Sequence, residues 1–207
     1  MTARTAVRAA YHHGDLRRAL LDASLRLIER HGPVGFTLRA AAREAGVTAG
    51  APYHHFEDKD ALIEALADEG FELFHAALLK AGEAPAGSPR ERTDNMAVAY
   101  VRFAVENPTR FRLMTGRDVG KAIRRRSRSE AADAYSLMRR AVIAKVTGTE
   151  NGTISPDLIV GSWAIVHGLA FLAIDGHLSA EGADWKHVGH IVRRIVRAGW
   201  QLPPLRA

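Results

Sequence analysis

Two short helical runs hinged on one glycine constrain this chain more than any other feature, and both lie within residues 37–59. Thr37 stands ahead of Leu38, Ala41, Ala42 and Ala45, which share one face of a helix. A threonine in that place can accept a free N–H of the first turn. Gly46 then sits where a left-handed residue ends a helix. Thr48 is a second hydroxyl cap. The run it opens carries Tyr53, His54 and His55, with Lys59 just beyond. Val47, apolar inside the turn, is placed to plug the space between the runs. Two helices joined by a tight glycine turn form a helix-turn-helix, in which one helix braces across a phosphate backbone while the next enters the major groove. The same spacing also fits an ordinary helical hairpin on a surface, and spacing alone does not choose between them.

Charge bears on that choice. Residues 1–56 hold eight arginines against four acids, whereas residues 57–85 hold two lysines against eight acids. The basic surface therefore travels with the helix pair and the following segment is acidic, the distribution expected where phosphates are to be neutralised. The net charge of +6 suits a polyanion as partner without requiring one. With no cysteine the chain has no disulfide framework and no thiolate metal site. Neither a secretory leader nor an uncharged apolar run of membrane length is expected, so the reading is a cytoplasmic protein with no membrane partner.

Residues 15–66 resemble the DNA-binding domain of the TetR family of transcriptional regulators. Three stretches carry the likeness: Thr37-Leu38-Arg39, Ala45-Gly46-Val47-Thr48, and the run Tyr53-His54-His55-Phe56-Glu57-Asp58-Lys59-Asp60-Ala61-Leu62. Upstream, Tyr11-His12-His13-Gly14-Asp15-Leu16-Arg17 is similar to the entry segment of one branch of that family. The resemblance implies that Thr48, Ala49, Gly50, Tyr53 and His54 face double-stranded DNA. Ala49 and Gly50 permit close approach, with at most a thymine-methyl contact from Ala49. His54 is then the best candidate for reading a base, while Thr37, Tyr53 and Lys59, joined by Arg39, are phosphate contacts. Tyr53 also has a simpler reading as a half-buried packing residue. Pro52 stands where the family's commoner pattern has leucine, and it is expected to loosen the start of the second helix.

The remainder reads as helix throughout, which makes the chain all-α: a three-helix DNA-binding domain over 1–60 and a helical regulatory and dimerisation domain over 61–207. Leu16, Leu20, Ala23, Leu27 and Ile28 form an apolar stripe on a first helix ended by Gly32-Pro33. Asp58 caps a longer helix. Ser88-Pro89-Arg90-Glu91 is a capping box with proline in the first helical position. A helix is expected from about 118 to 146, another from 157 to about 174, and a last one from about 183 to 200. The 157–174 helix is apolar nearly all round and must be covered on most of its circumference. The last helix carries a narrow seam. These two helices are expected to pair with their copies in a homodimer through Leu158, Ile165, Leu169, Leu172, Trp185, Val188, Val192 and Ile195. The alternative is that they form the chain's own core.

Trp163-Ala164-Ile165-Val166-His167-Gly168 is similar to the Trp-x-x-x-His-Gly signature of a C-terminal regulatory domain in one TetR branch. The stretch from Tyr100 through Asn107-Pro108 to Met114 fits the same domain. Phe103, Phe111, Met114, Tyr135, Met138, Trp163 and His167 could line a cavity for a small, largely apolar effector. Plain core packing accounts for the same residues, His167 included. The Arg124, Arg125 and Arg126 run reads as a solvated helix end, or as a second DNA contact. No metal spacing, nucleophile elbow or phosphate loop is present, so no cofactor, metal or catalytic residue is expected and the chain is read as a non-enzyme. The competing reading is a helical small-molecule-binding protein with no operator.

Overall fold

The computed structural model describes residues 13–85, 87–116, 128–178 and 185–199, all of it helix and connecting turn with no strand among the described residues. Two compact units divide between Leu66 and Ala67, inside a helix, rather than at residue 60.

The first unit holds α1 (His13–His31), α2 (Leu38–Glu44), a one-turn 3-10 segment (Ala51–His54) and the start of α3 (Lys59–Glu83). The expected stripe of α1 is buried at Leu20, Ala23, Leu27 and Ile28. Ser24, wholly buried among them, returns its hydroxyl proton to the Leu20 carbonyl, so it costs little inside an apolar face. α1 packs on α2, and α2 on the 3-10 turn. Thr37 Oγ1 accepts from the Ala40 N–H at 3.1 Å, as its cap position requires. At the other end Gly46 takes φ +72°. There the Gly46 N–H donates to the Arg43 carbonyl and the Val47 N–H to the Ala42 carbonyl, the paired bonds of a Schellman stop. Asp58 Oδ1 accepts from the Ala61 N–H at 2.7 Å and opens α3.

The second unit is centred on α4 (Pro89–Glu106), which packs against α5 (Pro108–Thr115), α6 (Arg128–Thr147), α7 (Pro156–Ile174) and α8 (Trp185–Gly199). Ser88 caps α4 by accepting from the Glu91 N–H, while the Glu91 carboxylate reaches back to the Gly87 N–H rather than to that of Ser88. Ser155 caps α7, and Gly176 at φ +80° ends it with the same paired bonds seen at Gly46. Residues 117–127, including the arginine run at 124–126, lie outside the described residues, as do 183, 184 and 200.

α7 is long and apolar enough to cross a bilayer by length and composition, with a mean hydropathy of 1.8, although its first turn carries Asp157. Ile159, Val166, Leu169, Ala170 and Ala173 of this helix enter the core of the unit. Leu158, Val160, Trp163 and Leu172 remain exposed.

Candidate functional site

The turn after Gly46 presents the side chains that the sequence singled out. Thr48, Ala49, Gly50, Tyr53 and His54 are all exposed, Tyr53 by 53%. The element carrying them differs from the expected α-helix capped by Thr48. It is a 3-10 turn whose N-cap is Gly50. The reason lies in Pro52, which has no N–H to give to the Thr48 carbonyl four residues back. That carbonyl is taken instead by the Ala51 N–H at 3.0 Å, and the Tyr53 N–H closes on Gly50. Pro52 itself is fully buried.

Thr37 is exposed and keeps its hydroxyl proton for an outside acceptor, since the cap uses only a lone pair. Lys59 is half-buried, with Nζ donating to the Val34 carbonyl at 3.4 Å. Arg18 pairs with Asp22, Arg26 and Arg30 pair with Glu44, and the Arg17 guanidinium lies 5.6 Å from the buried Phe56 ring centroid. Arg39 and Arg43, by contrast, are exposed and have no side-chain partner among the described residues. The unit thus pairs Arg18, Arg26 and Arg30 of α1 with acids and leaves the arginines of α2 open to solvent.

In the second unit, the expected ligand residues separate into two groups. Tyr135, Met138 and Trp163 line a cavity of about 50 Å³ between α4, α6 and α7. Phe103 and Phe111 do not line it. They are buried against Phe74, whose ring also meets Tyr100 edge-on at 4.9 Å. Met114 packs instead on Gly70, where a Cβ would come within 2.8 Å of its sulfur. His167 sits beside the cavity rather than in its wall. Its Nδ1 lies 2.9 Å from the Tyr100 hydroxyl, which also accepts from Trp163 Nε1 at 3.2 Å. An indole N–H can only donate, so the Tyr100 oxygen is its acceptor, while the direction of the Tyr100–His167 bond follows the imidazole tautomer. Burial lowers the His167 pKa from its ordinary value and raises that of Tyr100. The four-residue spacing of Trp163 and His167 is thereby explained: both clamp one tyrosine of α4.

A second cavity of about 170 Å³ lies on the other side of Thr93, Met96 and Ala141, which line both spaces. Glu83, Arg92, Arg140 and Glu150 also line it.

The residues expected at a dimer seam are also divided. Leu169, Val188 and Val192 are buried in the chain's own core. Ile165 and Trp185 are half-buried against that core, and Gly199 lets α8 approach so closely that a Cβ there would lie 2.9 Å from Ile165 Cδ1. Most of the narrow seam of α8 is therefore spent within the chain, because its apolar side faces α4 and α7. Leu158, Leu172 and Ile195 are exposed.

Sequence reasoning missed the charged centre of this unit. Asp94 is fully buried, accepts from Lys145 Nζ at 2.7 Å and from Arg197 Nε at 2.7 Å, and so ties α4 to α6 and α8. Burial lowers the Lys145 pKa against the opposing pull of the Asp94 carboxylate. The available signal was an acid on the same helical stripe as Ala97, Val101 and Ala104. Among the described residues no cluster of His, Asp or Glu has the form of a metal site.

A helix linked by a tight turn to a 3-10 segment, with outward cations and a larger helical unit after it, has the layout of a helix-turn-helix protein. Residues 20–66 match the family of bacterial regulatory proteins, tetR family, and residues 93–198 match the tetracyclin repressor-like C-terminal domain. The chain belongs to the TetR family. It is 38% identical over 79 residues to the HTH-type transcriptional regulator BetI of Burkholderia mallei, a match spanning 38% of this chain and 40% of that relative's length. It is 25% identical over 182 residues to the HTH-type transcriptional repressor AcnR of Corynebacterium glutamicum, covering 85% and 88% of the two chains. Among solved structures, a protein of unknown function from Rhodococcus sp. RHA1 is 35% identical, with a TM-score of 0.75 over 94% of this chain and 98% of that one. A TetR-family regulatory protein from Rhodococcus RHA1, at 19% identity, shares the fold with a TM-score of 0.71 over 89% and 94% of the chains. α7 lies within the matched C-terminal domain and contributes Val166, Leu169, Ala170 and Ala173 to the core of the second unit.

Proposed function

We propose that this protein is a cytoplasmic repressor that binds a palindromic operator as a homodimer and leaves it when a small, largely apolar molecule occupies the regulatory unit. The observation that carries the DNA reading is the exposed row Thr48, Ala49, Gly50, Tyr53 and His54, bordered by unpaired Arg39 and Arg43. Tyr53, Thr37, Lys59 and Arg39 hold phosphates and set the register, while His54 reads a base edge. With Ala49 and Gly50 contributing almost no side chain, much of the preference comes from close approach and DNA shape. Repression is carried over from AcnR, whose name states it. The Trp163 and His167 clamp on Tyr100 supports membership of the Trp-x-x-x-His-Gly branch.

Support for a dimer comes from the exposed apolar face of α7. Leu158, Val160, Trp163 and Leu172 are solvent-facing on a helix with Gly161 and Gly168 open beside them, so a second α7 can approach closely. Sedimentation at micromolar concentration should give a dimer, and Leu172→Glu should return it to monomer. The effector would bind one conformation of the regulatory unit better and shift the spacing of the two DNA-binding units through α3, which joins both units of the chain.

Gel shift against the DNA flanking its own gene tests the main claim. Sequence-preferring binding at moderate salt is expected. Tyr53→Ala and Lys59→Ala should each weaken specific and random DNA alike, by about fivefold to tenfold. His54→Ala should change the preferred sequence. A chain that binds no DNA preferentially would leave the helical ligand-binding protein as the better reading.

A further inference from the structure

The cavity between α4, α6 and α7 has polar groups in its wall, and most are already engaged. The Tyr100 hydroxyl accepts from Trp163 and shares a hydrogen bond with His167 Nδ1. Thr93 Oγ1 shares its one proton between the carbonyls of Pro89 and Ala141. The Ser162 hydroxyl donates to the Leu158 carbonyl. Two groups remain: the hydroxyl of Tyr135 and the guanidinium of Arg139. Both line the cavity, and both side chains lie toward solvent. They stand four residues apart on α6, the separation that puts side chains on one helix face. Neither has a hydrogen bond or ion pair among the described residues.

Among the described residues, Arg139 is the one charged side chain in the wall of this cavity. Arg102, Arg110, Arg112, Arg140 and Arg197 of the same unit each reach a carboxylate, and Arg193 reaches the Asn95 amide. An uncommitted guanidinium beside an apolar, aromatic wall selects for charge. A cation would be repelled at the mouth, and a neutral molecule would gain nothing there. The second cavity, with Glu83 and Glu150 alongside Arg92 and Arg140, has no such bias.

We infer that the effector is an apolar, ring-bearing anion, its ring against Trp163 and Met138 and its acid group on Arg139 and the Tyr135 hydroxyl. This rests on the effector reading proposed above and adds the charge of the ligand to it. The cavity of about 50 Å³ admits the edge of a ring, and the remainder lies along the open groove. A carboxylate or sulfonate would take charge-assisted bonds from Arg139, weakened by the solvent at the mouth.

The test uses two fluorescent probes with the same ring system, 1-anilinonaphthalene-8-sulfonate and its uncharged parent N-phenyl-1-naphthylamine, on the full chain. Both are expected to bind. Arg139→Ala should weaken the sulfonate by about fivefold and the parent by less than about twofold, with Arg139→Lys between wild type and alanine for the sulfonate. Ser162→Phe, checked for folding by thermal melting, fills the cavity and should weaken both probes together. Equal losses, or none, on Arg139→Ala would overturn the anion inference while leaving the effector cavity standing. If neither probe binds the wild-type chain, the effector reading falls and the inference falls with it.

Discussion

The two units stabilise themselves in opposite ways. In the first, most polar contacts close within one turn of helix: Thr37 with Ala40, Asp58 with Ala61, Arg18 with Asp22. Ser24 is its one fully buried polar residue among the described residues, and Arg39 and Arg43 point outward. In the second, the deciding contacts join distant helices. Tyr100 meets His167 across 67 residues, and Asp94 meets Lys145 across 51 and Arg197 across 103. A unit that must present charge to a polyanion keeps that charge out of its core. A unit that must couple several helices gains specificity from a buried charge, at the risk of leaving one uncompensated.

That contrast is broken most directly at Asp94. Asp94→Ala takes the buried carboxylate from Lys145, whose side chain is only 2% exposed. The expected cost is about 3–5 kcal/mol, a large part of the stability of an ordinary domain. Trp163 and Trp185 both lie in the second unit and the first 66 residues hold no tryptophan, so urea denaturation followed by tryptophan fluorescence reports the second unit alone. The double variant Asp94→Leu with Lys145→Met removes both buried charges and should recover much of the loss. A cost near 1 kcal/mol for Asp94→Ala would mean that the buried pair does not organise the unit.

Gly46 is the corresponding point in the first unit, with a smaller expected effect. Open space surrounds its missing Cβ, so alanine there meets no neighbour and pays only for φ +72°, about 1–2 kcal/mol. Gly148, at φ +81° with the same open surroundings, is the matched position in the second unit. Gly46→Ala should loosen the turn between α2 and the 3-10 segment and reduce operator affinity in the gel shift. Gly148→Ala should cost similar stability and leave DNA affinity unchanged. Equal effects on DNA would blur the division between the units.

Legibility follows the same line. The caps at Thr37, Asp58, Ser88 and Ser155 and the stop at Gly46 were readable because each depends on residues a few places away. The exposure of Thr48, Ala49, Gly50, Tyr53 and His54 was readable because nothing in the unit competes for them. The 3-10 turn was only half readable: Pro52 signalled a lost bond, but its burial depends on tertiary packing. The ligand and seam residues divided because apolar periodicity states that a side chain is covered and not what covers it. Phe111 and Val192 are as apolar as Met138 and Leu172, yet they ended in the core. Asp94 was invisible for a related reason, since its partners lie on other helices and no local spacing announces them.

The smallest expected effect lies in the clamp that couples α4 to α7. His167 shares a hydrogen bond with Tyr100 through Nδ1, and its burial penalises the charged imidazolium. Burial lowers the folded-state pKa below the ordinary value of 6.5. The unfolded chain therefore binds more protons than the folded one in the window just below pH 6.5, and stability must rise with pH through that window and fall on acidification. His167→Phe removes the titrating group and one neutral hydrogen bond, at a cost of about 1 kcal/mol at pH 7.5. It should also flatten the wild-type loss between pH 6.5 and 5, measured as urea midpoints by tryptophan fluorescence. An unchanged slope in the variant would assign the acid sensitivity to other groups and reduce His167 to packing. A flattened slope with DNA affinity untouched at pH 7.5 would locate the clamp in the regulatory unit alone, keeping its polar coupling separate from the exposed chemistry of Tyr53 and His54.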